Sequence, residues 1–62
     1  MRVWVAVGRT ESGDDVGPYV WSYEPDEAEI LRVMEADWPE EFEAFGDDGG
    51  ISWDLGSAEV IV

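Results

Sequence analysis

Two pairs of adjacent aspartates, Asp14-Asp15 and Asp47-Asp48, are the residues best suited to a hard divalent cation, which prefers carboxylate oxygens. An EF-hand calcium loop needs ligands at alternating positions and a closing glutamate, and neither pair supplies that pattern. Both pairs adjoin glycine, so turn formation accounts for them; adventitious calcium binding is the remaining metal reading. Paired carboxylates also act as general acid and base, or cleave glycosides, when a concave site drives their pKa values apart. With sixteen acidic residues among 62, neighbouring carboxylates are expected everywhere and single out no such pair. Ser12, Ser22, Ser52 and Ser57 have no histidine or lysine to activate them, because the chain contains neither. No glycine-rich lysine loop is present to cradle phosphate. The expectation is a protein that is not an enzyme and carries no cofactor.

The side chains better suited to function are those that bind surfaces. Trp4, Tyr19, Trp21, Tyr23 and Trp53 are a heavy aromatic load for so short a chain, and Trp and Tyr are enriched where proteins bind one another. Core filling is the competing account of any one of them. As a set they are expected at an interface, either the seam of a homodimer or a surface for a foreign partner.

Charge narrows the partner. Sixteen acids face three arginines, for a formal net charge of −13. Such a chain repels nucleic acid, whose phosphates need Lys and Arg. It suits a basic protein surface, where carboxylates stand in for phosphates and speed encounter. Asp14, Asp15, Glu27, Glu35, Glu40, Glu41, Asp47 and Asp48 are the candidate partner-binding acids. A solvated face is the plain reading of the same residues. Salt adaptation is another, since many acids with no lysine is the composition of a halophile's proteins.

These side chains must be positioned by very little structure. Sixty-two residues make a single compact domain, residues 1–62, and one of that size buries only about 60% of its unfolded surface. Disulfides and thiolate or imidazole metal sites are closed to it, because cysteine and histidine are both absent. Oligomerisation is the remaining staple. The absence of cysteine fits a reducing cytoplasm. No signal peptide or membrane span is visible, the opening apolar run being short and interrupted by Gly8.

Arg2 to Arg9 reads as a strand with Val3, Val5 and Val7 on one face and Trp4 and Ala6 on the other. Both faces are apolar, which is the mark of a strand buried on both sides. Thr10 to Asp15 is a turn with Gly13 at its apex, and a second strand follows over about Val16 to Tyr23. Pro18 cannot donate to a ladder, so it places that strand at an edge or marks a bulge. In this strand Tyr19, Trp21 and Tyr23 alternate onto one face and Val20 points to the other.

A helix starts at Glu24-Pro25-Asp26-Glu27, with a poor cap because Glu24 is not a favoured N-cap residue. Ile30, Leu31, Met34 and Trp38 form its apolar stripe. Pro39 ends or bends it, and Glu40 to Phe45 makes one further turn pinned by Phe42 and Phe45. After the Gly46–Gly50 loop, Ile51 to Leu55 alternates, and Ala58 to Val62 resumes in opposite phase. That predicts a bulged or split last strand. The expected fold class is α+β: a small antiparallel β-β-α-β sheet with one helix packed on one face. One helix shelters only one side of the sheet, which again predicts a partner, most simply a second copy.

Thr10-Glu11-Ser12-Gly13-Asp14-Asp15 followed by Gly17-Pro18-Tyr19-Val20 resembles a pattern in short phage-encoded proteins. These combine it with a strand, a Pro-acid helix and a Trp-containing last strand. Size and acidity are also similar to phage inhibitors of bacterial defence, including anti-CRISPR DNA mimics and the very short Hachiman anti-defence protein. The resemblance implies a viral protein that inhibits a bacterial immune protein by binding it in the host cytoplasm, with no catalytic residues. The alternative is a salt-adapted structural or assembly module from a halophile.

Overall fold

In the computed structural model, which describes residues 1–61, the chain forms an antiparallel three-stranded sheet with two short helices, an α+β fold. The elements are β1 (Arg2–Arg9), β2 (Asp15–Trp21), α1 (Glu27–Asp37), α2 (Pro39–Phe45) and β3 (Ser52–Glu59). β1 is central, in the order β2-β1-β3. The Cα trace measures 40 × 21 × 14 Å, and its short dimension admits one sheet and one helix layer but no third.

The β1–β2 turn is built by Thr10, which is buried. Its Oγ1 accepts the Asp14 N–H at 2.9 Å and its carbonyl accepts the Gly13 N–H at 2.9 Å. Gly13 has φ +94°, a conformation few other residues adopt, so it is the apex of the turn. Pro18 meets both expectations. It lies in an edge strand, and the β1–β2 register slips there, from Ala6↔Tyr19 to Gly8↔Val16. β2 ends at Trp21, however, so Tyr23 leaves the sheet and joins the connection to α1.

Helix α1 is well capped, contrary to the sequence expectation. Asp26, not Glu24, is the N-cap, and its side chain accepts the Glu29 N–H at 2.8 Å. Pro25 sits one residue before the cap, and Ile30 occupies the staple position inside the helix; both are buried. Ile30 and Met34 are the helix's two fully covered side chains. Pro39 separates the helices, and α2 is held by Phe42 alone, because Phe45 remains half exposed. At Gly49 a Cβ would lie 2.7 Å from the Phe42 ring, so the loop backbone packs directly beneath it.

β3 is one uninterrupted strand. It pairs with β1 through eight consecutive partners, Arg2↔Glu59 to Arg9↔Ser52, without a bulge. The reversal of its apolar phase at Gly56-Ser57 is a change of face. Trp53 and Leu55 turn toward the helices, and Ala58 turns away.

The core explains which face the helices take. Ala6 is fully buried and Gly8 lies two residues on, so the middle of that face has a shallow floor. Tyr19 and Trp21 rise beside it on β2, and Trp53 and Leu55 on β3. A helix about 10 Å across fits between such walls and sets Ile30 and Met34 on the floor. Among the described residues, Ala6, Val16, Trp21, Ile30, Met34, Phe42 and Ile51 form a single buried cluster.

Candidate functional site: an acidic helix layer and an open valine face

The two sides of the molecule differ in chemistry. On the helix layer Glu27, Glu35, Glu40, Asp47 and Asp48 are exposed and Glu41 is half-buried. Arg32 is the only cation within either helix. Asp14 and Asp15 lie apart from them, in and just after the β1–β2 turn, where Asp15 pairs with Arg9 at 3.3 Å. Asp48 accepts the Gly50 N–H at 2.9 Å, which is turn chemistry. Among the described residues no three acidic side chains group in a way that could hold a metal ion.

The acids suit one end of each helix better than the other. Glu27 and Glu29 stand in the first turn of α1, and Glu40 and Glu41 in that of α2, where negative charge is favourable. Asp37 stands at the C-terminal end of α1, where it is not. Its carboxylate is occupied by Tyr19, whose hydroxyl donates to Oδ2 at 2.8 Å.

That contact links the sheet to the helix and perturbs the phenol. Desolvation first, then the hydrogen bond to Asp37 and its negative charge, push the Tyr19 pKa up from 10.0 to about 12. A group whose folded pKa is raised stabilises the fold while protonated, below pH 10, and that contribution is lost as pH rises through about 12. Alkaline titration of the far-ultraviolet circular dichroism is therefore expected to show unfolding over that window. Tyr19→Phe is expected to flatten it; an unchanged profile would show that the contact carries no stability. Tyr23 shifts in the same direction, chiefly through its hydrogen bond to Glu29.

The five aromatics do not share one outward surface. Trp21 is buried in the core, and Tyr19 and Trp53 are packed against it on the helix side. The Tyr19 and Trp21 rings lie 6.4 Å apart and tilted, an ordinary core pair. Trp4 is half-buried and Tyr23 stands exposed off the sheet. Within the sheet, the exposed large apolar side chains are Val7 and Val20 of the opposite face, where Val3 and Val5 are half-buried. Val3, Val5 and Val7 of β1, Val20 of β2 and Ala58 of β3 share it by register. Val20 is 61% exposed and Val7 47%. The alternation of β1 announced this face; what concealed its role was the greater size of the aromatics on the other.

At one end of the open face Val7, Gly8 and Arg9 with Asp15, Ser52, Trp53 and Asp54 outline a shallow depression of about 580 Å³. At the far end of the sheet, on the Trp4 side by register, Arg2 bonds Ser57 at 2.9 Å and pairs with Glu59 at 3.3 Å, and the terminal amine reaches Glu59 at 3.4 Å. No helix among the described residues is long and apolar enough to cross a membrane. No protein-family model matches the chain, and no curated protein and no solved structure is detectably similar to it.

Proposed function

We propose that this protein is a non-catalytic phage anti-defence factor that binds and inhibits a bacterial immune protein in the host cytoplasm. Its acidic helix layer occupies a basic surface on the target that otherwise takes nucleic acid. The observation that carries this reading is the set of exposed carboxylates at Glu27, Glu35 and Glu40 on helices containing a single arginine, with Asp47 and Asp48 exposed in the turn after α2. Excess charge on one face raises association rates toward an oppositely charged groove and disfavours neutral partners.

The test is a panel of purified defence nucleases and helicases, assayed for inhibition and for affinity at low and high salt. Binding is expected to weaken as salt rises, because screening shortens the reach of exposed charges. A Glu27→Gln, Glu35→Gln, Glu40→Gln, Glu41→Gln variant keeps good helix formers at every site and is expected to lose about tenfold or more in affinity. Failure to protect phage against any defence system in a challenge assay would overturn the reading.

The absence of lysine beside sixteen acids favours a second reading, a salt-adapted structural or assembly module from a halophile. Stability measured against KCl separates the two. A molar salt requirement favours the halophile module, and full stability in dilute buffer favours the inhibitor.

A further inference from the structure

The geometry points to a second copy of this chain as the occupant of the open valine face, the two sheets packing face to face about a two-fold axis along β1. This seam is distinct from the acidic helix layer and does not depend on the function proposed for it.

The shape of the face is self-complementary. At the level of Val5, β2 presents Val20 and β3 presents Gly56, since Val5 pairs with both. Val20 projects into solvent, whereas a Cβ built at Gly56 meets nothing within 4 Å. A two-fold axis parallel to the central strand keeps each level in place and exchanges the flanking strands. It therefore lays Val20 of each copy over Gly56 of the other, a projection into a gap, twice. The rows through Val3 and Val5 carry no charged side chain; Arg9, Asp15 and Asp54 stand only at one end of the face. In face-to-face packing two such sheets lie about 10 Å apart, close enough for valines to interdigitate.

Shape and the small single-chain core make a second copy the fitting occupant. Two eight-residue strands and the seven-residue β2 give a face on the order of 400 Å² in projection, within the range of a monomer's largest apolar patch, which is often functional. Two copies bury about 800 Å² of it in projection, the size of a weak, reversible association rather than an obligate one. Among the described residues the core holds seven buried hydrophobic side chains against a net charge of −13, so the face gains most from a partner always present at equal concentration. The arrangement also directs both acidic helix layers outward, as far apart as the assembly allows.

Sedimentation equilibrium tests this. Wild type is expected to approach twice the chain mass of 6.9 kDa, and to do so more strongly as salt rises, because screening relieves repulsion between two acidic chains. That trend is opposite to the one expected for a basic target, so failure of either association is read separately. Gly56→Leu fills the gap without meeting any atom of its own chain and is expected to weaken dimerisation about tenfold or more while leaving the circular dichroism unchanged. Val20→Ala in the same background is expected to recover part of that loss. Val20→Glu, at a side chain already mostly in solvent, gives an independent disruption should the leucine variant misfold. A wild-type monomer at hundreds of micromolar in high salt overturns the inference. So does a folded Gly56→Leu or Val20→Glu variant that dimerises as tightly as wild type.

Discussion

Ile30→Ala is expected to leave the protein largely unfolded at room temperature. Ile30 is 1% exposed and stands with Met34 on the Ala6 floor, so truncation removes contacts and opens a cavity that a thin two-layer fold cannot close. Such truncations cost about 2–5 kcal/mol. A core in a domain below about 70 residues rarely supplies more than about 3–5 kcal/mol in total. Loss and reserve are therefore of the same size, which would be untrue of a domain twice as long. Urea titration followed by tryptophan fluorescence measures the difference, with Glu35→Ala as a surface control expected to move stability by no more than about 0.5 kcal/mol. An Ile30→Ala variant with a wild-type midpoint would show that α1 is not what holds the sheet.

Gly8→Val is the second large effect, and it acts on the other side of the core. A Cβ at Gly8 would lie 2.6 Å from the Ser52 carbonyl oxygen and 2.9 Å from the Trp53 Cβ. Neither atom is the far end of a flexible side chain, so relief requires β3 to move away from β1 at the pairs Gly8↔Trp53 and Arg9↔Ser52. Overpacking of this kind costs about 1–3 kcal/mol, and lost ladder hydrogen bonds add to it. The expected result is a lower urea midpoint together with a shifted tryptophan emission, since Trp53 is displaced directly. Unaltered emission and midpoint would show that the strand pair is looser than these distances imply. Gly56, in the neighbouring strand, is glycine without any such crowding, and the contrast separates a glycine demanded by the fold from one available to an interface.

The two surfaces have consequences for each other. If valine faces join two copies, each dimer offers two acidic helix layers pointing in opposite directions, and a target with two basic grooves would be bound bivalently. Salt then acts in opposite senses on the two contacts. Each can be measured while the other is held by choice of concentration.

Much of the fold was legible in the residues. Period-two alternation in Arg2–Arg9 marked the first strand and its two apolar faces. Pro18 marked an edge or a bulge, and Ile30, Leu31, Met34 and Trp38 marked the helix stripe; each depends on local backbone geometry that a sequence states directly. The helix cap was legible and misassigned. Asp26 with Glu29 three residues later is a capping pattern, but Pro25 just before it also suits a first turn and points to an earlier start. The phase reversal in β3 misled for a different reason. Alternation reports sides within a strand, so a strand contributing to both layers of packing looks the same as one interrupted by a bulge.

What the sequence by itself determined is the composition of each side: an acidic exterior, no histidine or lysine beside its serines, and a first strand apolar on both faces. Which side the helices take was decided only in three dimensions. Period two sorts Trp4 and Ala6 from Val3, Val5 and Val7 but does not say which set is sheltered. The choice follows from volume, because Ala6 and Gly8 leave room for Ile30 and Met34 between aromatic walls, and a row of three valines leaves none. Packing of large side chains around small ones is a property of three strands brought side by side, so no single stretch of the chain contains it.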